Sequence, residues 1–167
     1  MNSWLSLVNQ KLFFTRLLLE QVSQGEDRFG HAEMALCQSA VYQLESGYRH
    51  HLREVATTYQ CRTPDTITHV EQLVAELEAV DKHPAEAMEM FNLEQQPESW
   101  LAQLLCVWAS FSNLPKSAVV ADTASPIPLM QVNQKPQLPM LNIAQIQTWL
   151  DLMQEMVDRH RELMVEC

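Results

Sequence analysis

Apolar residues recur at alternating spacings of three and four along most of the chain, and that rhythm constrains the fold more than any other feature. Leu5, Val8, Leu12, Leu19 and Val22, with Thr15 among them, follow it over residues 4–24. Such spacing stacks side chains on one face of an α-helix. Phe13, Phe14, Leu17 and Leu18 widen the seam well beyond one stripe. A helix apolar over so much of its circumference is expected to sit against several neighbours rather than on the surface. The rhythm resumes from about Gly30 to about Tyr59 through Cys37, Val41, Leu44, Tyr48, Leu52, Val55 and Tyr59. Gly47 lies beside this stripe, where the missing side chain lets a neighbouring helix approach closely, and Ala35, Ser39 and Ala40 extend the possibility upstream.

Further helices follow. Pro64 ends the second run, and Thr68 with Glu71 has the spacing of a capping box, in which two side chains satisfy the free amides of a helix start. Ile67, Val70, Leu73, Val74, Leu77 and Val80 then form one apolar face. Pro84 and Pro97 each suit the first turn of a helix, where a missing N–H costs nothing. The helix after Pro84 is expected to last a turn or two. The one after Pro97 carries Trp100, Leu101, Leu104, Val107, Trp108 and Phe111 on one side. Residues 113–142 hold five of the eight prolines and no sustained periodicity, so they are expected to form an extended connection. Val119, Val120, Ile127, Leu129 and Met130 could dock that connection on the bundle. Asn142 with Gln145 then caps a last helix bearing Ile146, Trp149, Met153, Met156, Leu163 and Met164. The expected fold is all-α: one domain over residues 1–167, a helical bundle of about five to six helices with an up-and-down core and one long proline-rich connection.

The composition excludes several functions. Three glycines in 167 residues rule out the glycine-rich fingerprints of dinucleotide and nucleotide-triphosphate sites. The net charge is -10, and it is unevenly placed: residues 63–112 carry nine acidic groups against Lys82 alone. A duplex-binding protein needs a basic stripe to displace counterions from phosphates, so DNA is excluded and RNA disfavoured. The apolar N-terminus is interrupted by Lys11 and Arg16 and has neither a signal-peptide cleavage site nor the length of a membrane span. Cys37, Cys61, Cys106 and Cys167 are scattered without a C-x-x-C pair, which suits reduced thiols in a cytoplasm and neither zinc nor a redox motif. A cytoplasmic location without membrane contact is the expectation.

A search for chemistry finds little. No Glu is followed by His at the third position, so the Glu-x-x-His pairs of a di-iron bundle are missing. No nucleophile elbow is present. No catalytic residue, metal ligand or cofactor is therefore assigned. His50 and Glu54 lie one turn apart, but His50 falls opposite the apolar stripe and is expected to face water in a surface pair. His51 lies at the edge of that stripe, and His160 falls at the centre of the last helix's apolar face. A buried imidazole needs a hydrogen-bond partner, and its charge responds to its surroundings. His160, His51, Tyr48 and Trp149 are accordingly the candidate lining of an interhelical ligand pocket. Met88 with Met90, and Met153 with Met156, suit either core or an adaptable binding surface.

Two resemblances add to this reading. Arg62 and His69 have the Arg-x(4–6)-His spacing that resembles the nuclease motif of the HEPN superfamily, small helical bundles in which the two residues surround the 2′-hydroxyl and scissile phosphate of RNA. Thr63 follows the arginine and Pro64 departs from the usual helical context. The segments Asn9-Gln10-Lys11-Leu12-Phe13-Phe14 and Gln96-Pro97-Glu98-Ser99-Trp100-Leu101-Ala102-Gln103-Leu104-Leu105 resemble a gammaproteobacterial family of small helical proteins catalogued only as a domain of unknown function. That likeness implies a bacterial, cytoplasmic, all-helical protein and carries no activity with it. The leading expectation is a non-enzymatic interaction, adaptor or regulatory module with a protein partner or a second copy of itself. A ligand binder or enzyme at His160 comes next, and a HEPN-like RNase or its antitoxin-type partner third.

Overall fold

The long second helix is the post around which the others are arranged in the computed structural model, which describes residues 3–24, 30–113 and 141–165. Helix α1 spans Ser3–Gln24 and α2 spans His31–Thr58. A short 3-10 turn at Pro64–Thr66 leads to α3 (Val70–Glu78), α4 (Ala85–Gln95), α5 (Trp100–Ser110) and α6 (Ile143–Val165). The described residues contain no strand, and the six α-helices form a bundle. The most extensive packing is between α1 and α2, and α6 lies against both.

The apolar rhythm explains the core. Val8, Leu12, Leu19 and Val22 of α1 are buried against Cys37, Val41, Leu44, Leu52 and Val55 of α2. Ile146, Trp149, Met153 and Met156 of α6 close the other side, and Leu73, Leu77, Met90, Leu101 and Leu104 complete it from the short helices. Gly47 sits where α1 and α6 both crowd α2. A Cβ added there would lie 3.2 Å from Lys11 Cβ and 3.3 Å from Met153 Cε. Gly47→Ala trades that crowding against about 1 kcal/mol of helix propensity and is expected to be close to neutral in urea unfolding. Gly47→Val gains less helix propensity and adds two methyl groups to the same crowding, so it is expected to lose about 1–3 kcal/mol. Equal stability of the two variants would mean that the crossing is not tight.

The helices depart from expectation in four places. The cap of α3 is shifted by one residue: His69 is the N-cap, and Gln72 Oε1, not Glu71, accepts from the backbone N–H of His69 at 3.3 Å as well as from that of Thr68 at 2.8 Å. Glutamine serves because the return bond needs an acceptor, not a charge. The helix after Pro84 runs eleven residues rather than a turn or two, with Pro84 as N-cap. Its faint apolar stripe hid its length, because Glu86 stands among its buried residues. Pro97 precedes α5 without entering it; Ser99 caps that helix, its Oγ accepting from Ala102 N–H at 3.1 Å. Finally, α1 does not bury its whole circumference, since Phe13, Phe14 and Leu17 remain exposed. At the start of α6, Asn142 Oδ1 accepts from Ala144 N–H at 2.9 Å, as its cap position requires. The core of the proline-rich connection, residues 114–140, lies outside the described residues.

Candidate functional site

Two histidines from distant parts of the sequence meet in the middle of the bundle. His51 on α2 and His160 on α6 are both 0% exposed. Their rings face each other with His51 Nε2 and His160 Nδ1 at 2.9 Å. The outer nitrogens are also engaged: His51 Nδ1 lies 3.2 Å from Glu54 Oε2, and His160 Nε2 lies 3.1 Å from Glu89 Oε2. An arginine holds each carboxylate in turn. Arg161 donates to Glu54 through Nε at 2.8 Å and Nη2 at 3.1 Å, the two-pronged geometry that suits guanidinium to carboxylate. Arg159 pairs with Glu89. Arg161 also donates from Nη1 to Asn9 Oδ1 at 2.8 Å. One polar chain therefore runs Asn9, Arg161, Glu54, His51, His160, Glu89, Arg159 and ties α1, α2, α4 and α6 together.

Local sequence explains why these groups converge. On α2, residues three apart share a face, so His51 and Glu54 form a ready-made pair. On α6, His160 occupies the apolar face while its neighbours Arg159 and Arg161 point to either side of it. That places one arginine toward α4 and the other toward α1 and α2. Buried polar groups of this kind are tolerated because each has a partner. The electrostatics follow from the contacts. Burial pushes the Glu54 carboxyl up, but the hydrogen bonds from His51 and Arg161, with their charges, outweigh it and leave it below the usual carboxylate value. Glu89 shows the same balance, with His160 and Arg159 outweighing its burial. His160 is pushed down, chiefly by burial and then by the charge of His51, against the pull of Glu89 and Glu86.

Two further tyrosine–carboxylate pairs attach α4 to α2. Tyr48 O–H donates to Glu94 at 2.6 Å, and burial followed by the Glu94 charge pushes the phenol well above its ordinary value. Near the C-terminal end of α2, Tyr59 O–H donates to Glu86 at 3.0 Å. The short helix α4 thus presents Glu86, Glu89 and Glu94 inward, each to a different partner.

Of the four residues expected to line a pocket, the structure joins His51 to His160 by a hydrogen bond, while Tyr48 directs its hydroxyl to Glu94. Trp149 is 2% exposed and belongs to the core. All four imidazole nitrogens of the histidine pair face protein atoms. An open groove of about 700 Å³ lies elsewhere, between Leu19 and Ser23 of α1 and Ile143 and Gln147 of α6. That is about 20–26 Å along α6 from His160 at the rise of an α-helix. The expected pair of His50 with Glu54 does not form: Glu54 turns inward to His51 and Arg161, and His50 stacks on Trp4 with ring centroids 5.4 Å apart. Arg62 and His69 are both exposed, and the negative charges of Glu45 and Glu94 act on the neighbourhood of His69. Among the described residues, no three His, Cys, Asp or Glu side chains are grouped to hold a metal ion, and no helix is long and apolar enough to cross a membrane. Sequence reasoning missed Glu89, Arg159 and Arg161 as partners of the histidines. Only the i, i+3 spacing of His51 and Glu54 signalled part of the chain.

The outer face of α1 is the second notable surface. Phe13 is 52% exposed, Leu17 41% and Phe14 38%. They lie on the side opposite Val8, Leu12, Thr15 and Leu19, which are buried against the bundle. At 100° per residue, Leu17 points almost directly away from the core. No curated protein and no solved structure matches the chain. A family model does match, over residues 1–167, and so the chain belongs to the family of unknown function DUF6586.

Proposed function

We propose that the protein is a non-enzymatic, cytoplasmic interaction module, and that the outer face of α1 joins it to a second copy of itself. The observation that carries this reading is the uncovered cluster of Phe13, Phe14 and Leu17 on a helix whose opposite face already fills the core. A contiguous apolar patch on a polar surface marks an interaction site far more often than scattered exposed residues do. Charge favours a second copy as the occupant. The chain carries -10 overall, concentrated in residues 63–112, so most approaches between two copies bring like charges together. Helix α1, with Lys11, Arg16 and Glu20, is the one described helix with a net positive charge. Pairing α1 on α1 therefore keeps the acidic helices apart. Arg16 and Glu20 are both exposed beside the patch and supply one charge of each sign, which suits a self-complementary two-fold contact.

An interhelical ligand pocket at His160 is less well supported, because the nitrogens of both buried histidines are already matched with protein partners. The free thiols of Cys37, Cys61 and Cys106 are consistent with a reducing compartment. The double variant Phe13→Glu/Leu17→Glu is expected to be monomeric with unchanged helical circular dichroism, because both positions face away from the core. Sedimentation velocity makes the comparison. A variant that stays dimeric while folded contradicts the assignment of the face.

A further inference from the structure

The chain Glu54–His51–His160–Glu89 contains three hydrogen bonds in series, and each needs one proton. Two ionised carboxylates and two neutral imidazoles hold two protons between them. One contact would then set a bare lone pair against another acceptor. Either the facing nitrogens of His51 and His160 would confront each other at 2.9 Å with no hydrogen between them, or a ring would turn a bare nitrogen to a carboxylate oxygen at 3.1–3.2 Å. Four ring protons fail in the other direction, because both facing nitrogens would then be donors. Three protons satisfy every contact. We propose that His51 and His160 form a binding site for a single excess proton, shared between their facing nitrogens, and that its occupancy locks α6 to α2.

The surroundings suit one added positive charge and not two. Glu54 on α2 and Glu89 on α4 cap the two ends, and Glu86 on α4 acts on His160 from farther away. Arg161 and Arg159, both on α6, offset those carboxylates from the outside. Helix α1 contributes no charge to the chain, only the Asn9 carboxamide and the Leu5 carbonyl that steady Arg161. Glu54 and Glu89, each already held by an arginine, are better proton acceptors from the rings than proton holders, so the third proton stays on nitrogen. Because the proton would be shared across one 2.9 Å contact, its affinity belongs to the site and to neither ring alone. When the proton leaves at high pH, the central contact becomes repulsive and the joint between α2 and α6 loosens.

The test is nitrogen NMR on wild-type protein labelled with ¹⁵N-histidine, the rings being assigned through correlations to their own Cβ atoms. The nitrogen shift reports how far each site is protonated, so the four values can be added. The sum over His51 and His160 is expected to be three near neutral pH. A sum of two would place the third proton on a carboxyl or nowhere, and a sum of four would make both rings fully charged; either overturns the proposal. Glu89→Gln provides the second measurement, because its carbonyl still accepts from His160 Nε2–H while the charge is lost. The pH at which the sum falls from three to two is expected to drop by about one unit, the low end for losing a nearby opposite charge. An unmoved transition would contradict the role of Glu89. Amide exchange in α6 that quickens across this transition by no more than the base-catalysed rise that unstructured amides show would contradict the lock.

Discussion

Glu54→Ala is expected to lower the unfolding free energy by about 3–5 kcal/mol, the range for removing one partner of a buried ion pair. The carboxylate is 1% exposed and receives both Arg161 and His51. Its loss leaves the buried His51 ring without its acceptor and the Arg161 guanidinium, on a side chain only 20% exposed, without its counter-charge. Arg159→Ala, by contrast, removes a 43% exposed side chain whose partner Glu89 is itself one-third exposed. A pair so close to solvent is worth about 0–1 kcal/mol. Urea unfolding at neutral pH measures both, and a Glu54→Ala loss below that of Arg159→Ala would deny the polar chain a role in holding the bundle together. Acid gives an independent check. Glu54 titrates lower in the folded protein than its ordinary 4.5, so its contribution is complete above that pH and is lost as pH falls through the folded value. Wild-type stability is thus expected to decline as pH falls below 4.5. The gap between wild type and Glu54→Ala should narrow in the lowest part of that range.

Trp149→Ala is the other large effect, at about 3–5 kcal/mol, because truncating a buried aromatic ring loses its transfer energy and leaves a cavity. The ring is among the largest fully enclosed side chains and packs in the core formed with Ile146, Met153 and Met156. Thermal and urea unfolding read the loss directly. A ring that lined a vacant ligand site would have fewer contacts to lose, so a cost below about 1 kcal/mol would favour the pocket over the packed core.

The long helices were legible because their apolar positions keep the period of a helix for several turns. The same arithmetic set His160 at the centre of a buried face and His51 at the edge of another. It could not pair them, since they lie 109 residues apart and nothing local links them. Their end partners were hidden for a related reason. Glu89 belongs to a helix whose weak stripe concealed its length, and Arg161 looks like an ordinary surface residue until α1 and α2 are placed beside it. The choice of His50 as the partner of Glu54 followed the four-residue spacing, whereas the three-residue spacing to His51 won because Glu54 turns inward to Arg161. The outer face of α1 was misjudged in the opposite sense. Phe13, Phe14 and Leu17 read as core because they are apolar, but a helix at the side of a bundle has neighbours over only part of its circumference. That surplus is the ground on which α1 is proposed as a self-association surface.

The most direct test of self-association through α1 is the mass of the wild-type protein in solution, by native mass spectrometry and sedimentation equilibrium at micromolar concentration. The expected result is a species of twice the 19.2 kDa chain, with no added mass lost on denaturation. A single 19.2 kDa chain over the whole concentration range would contradict the account.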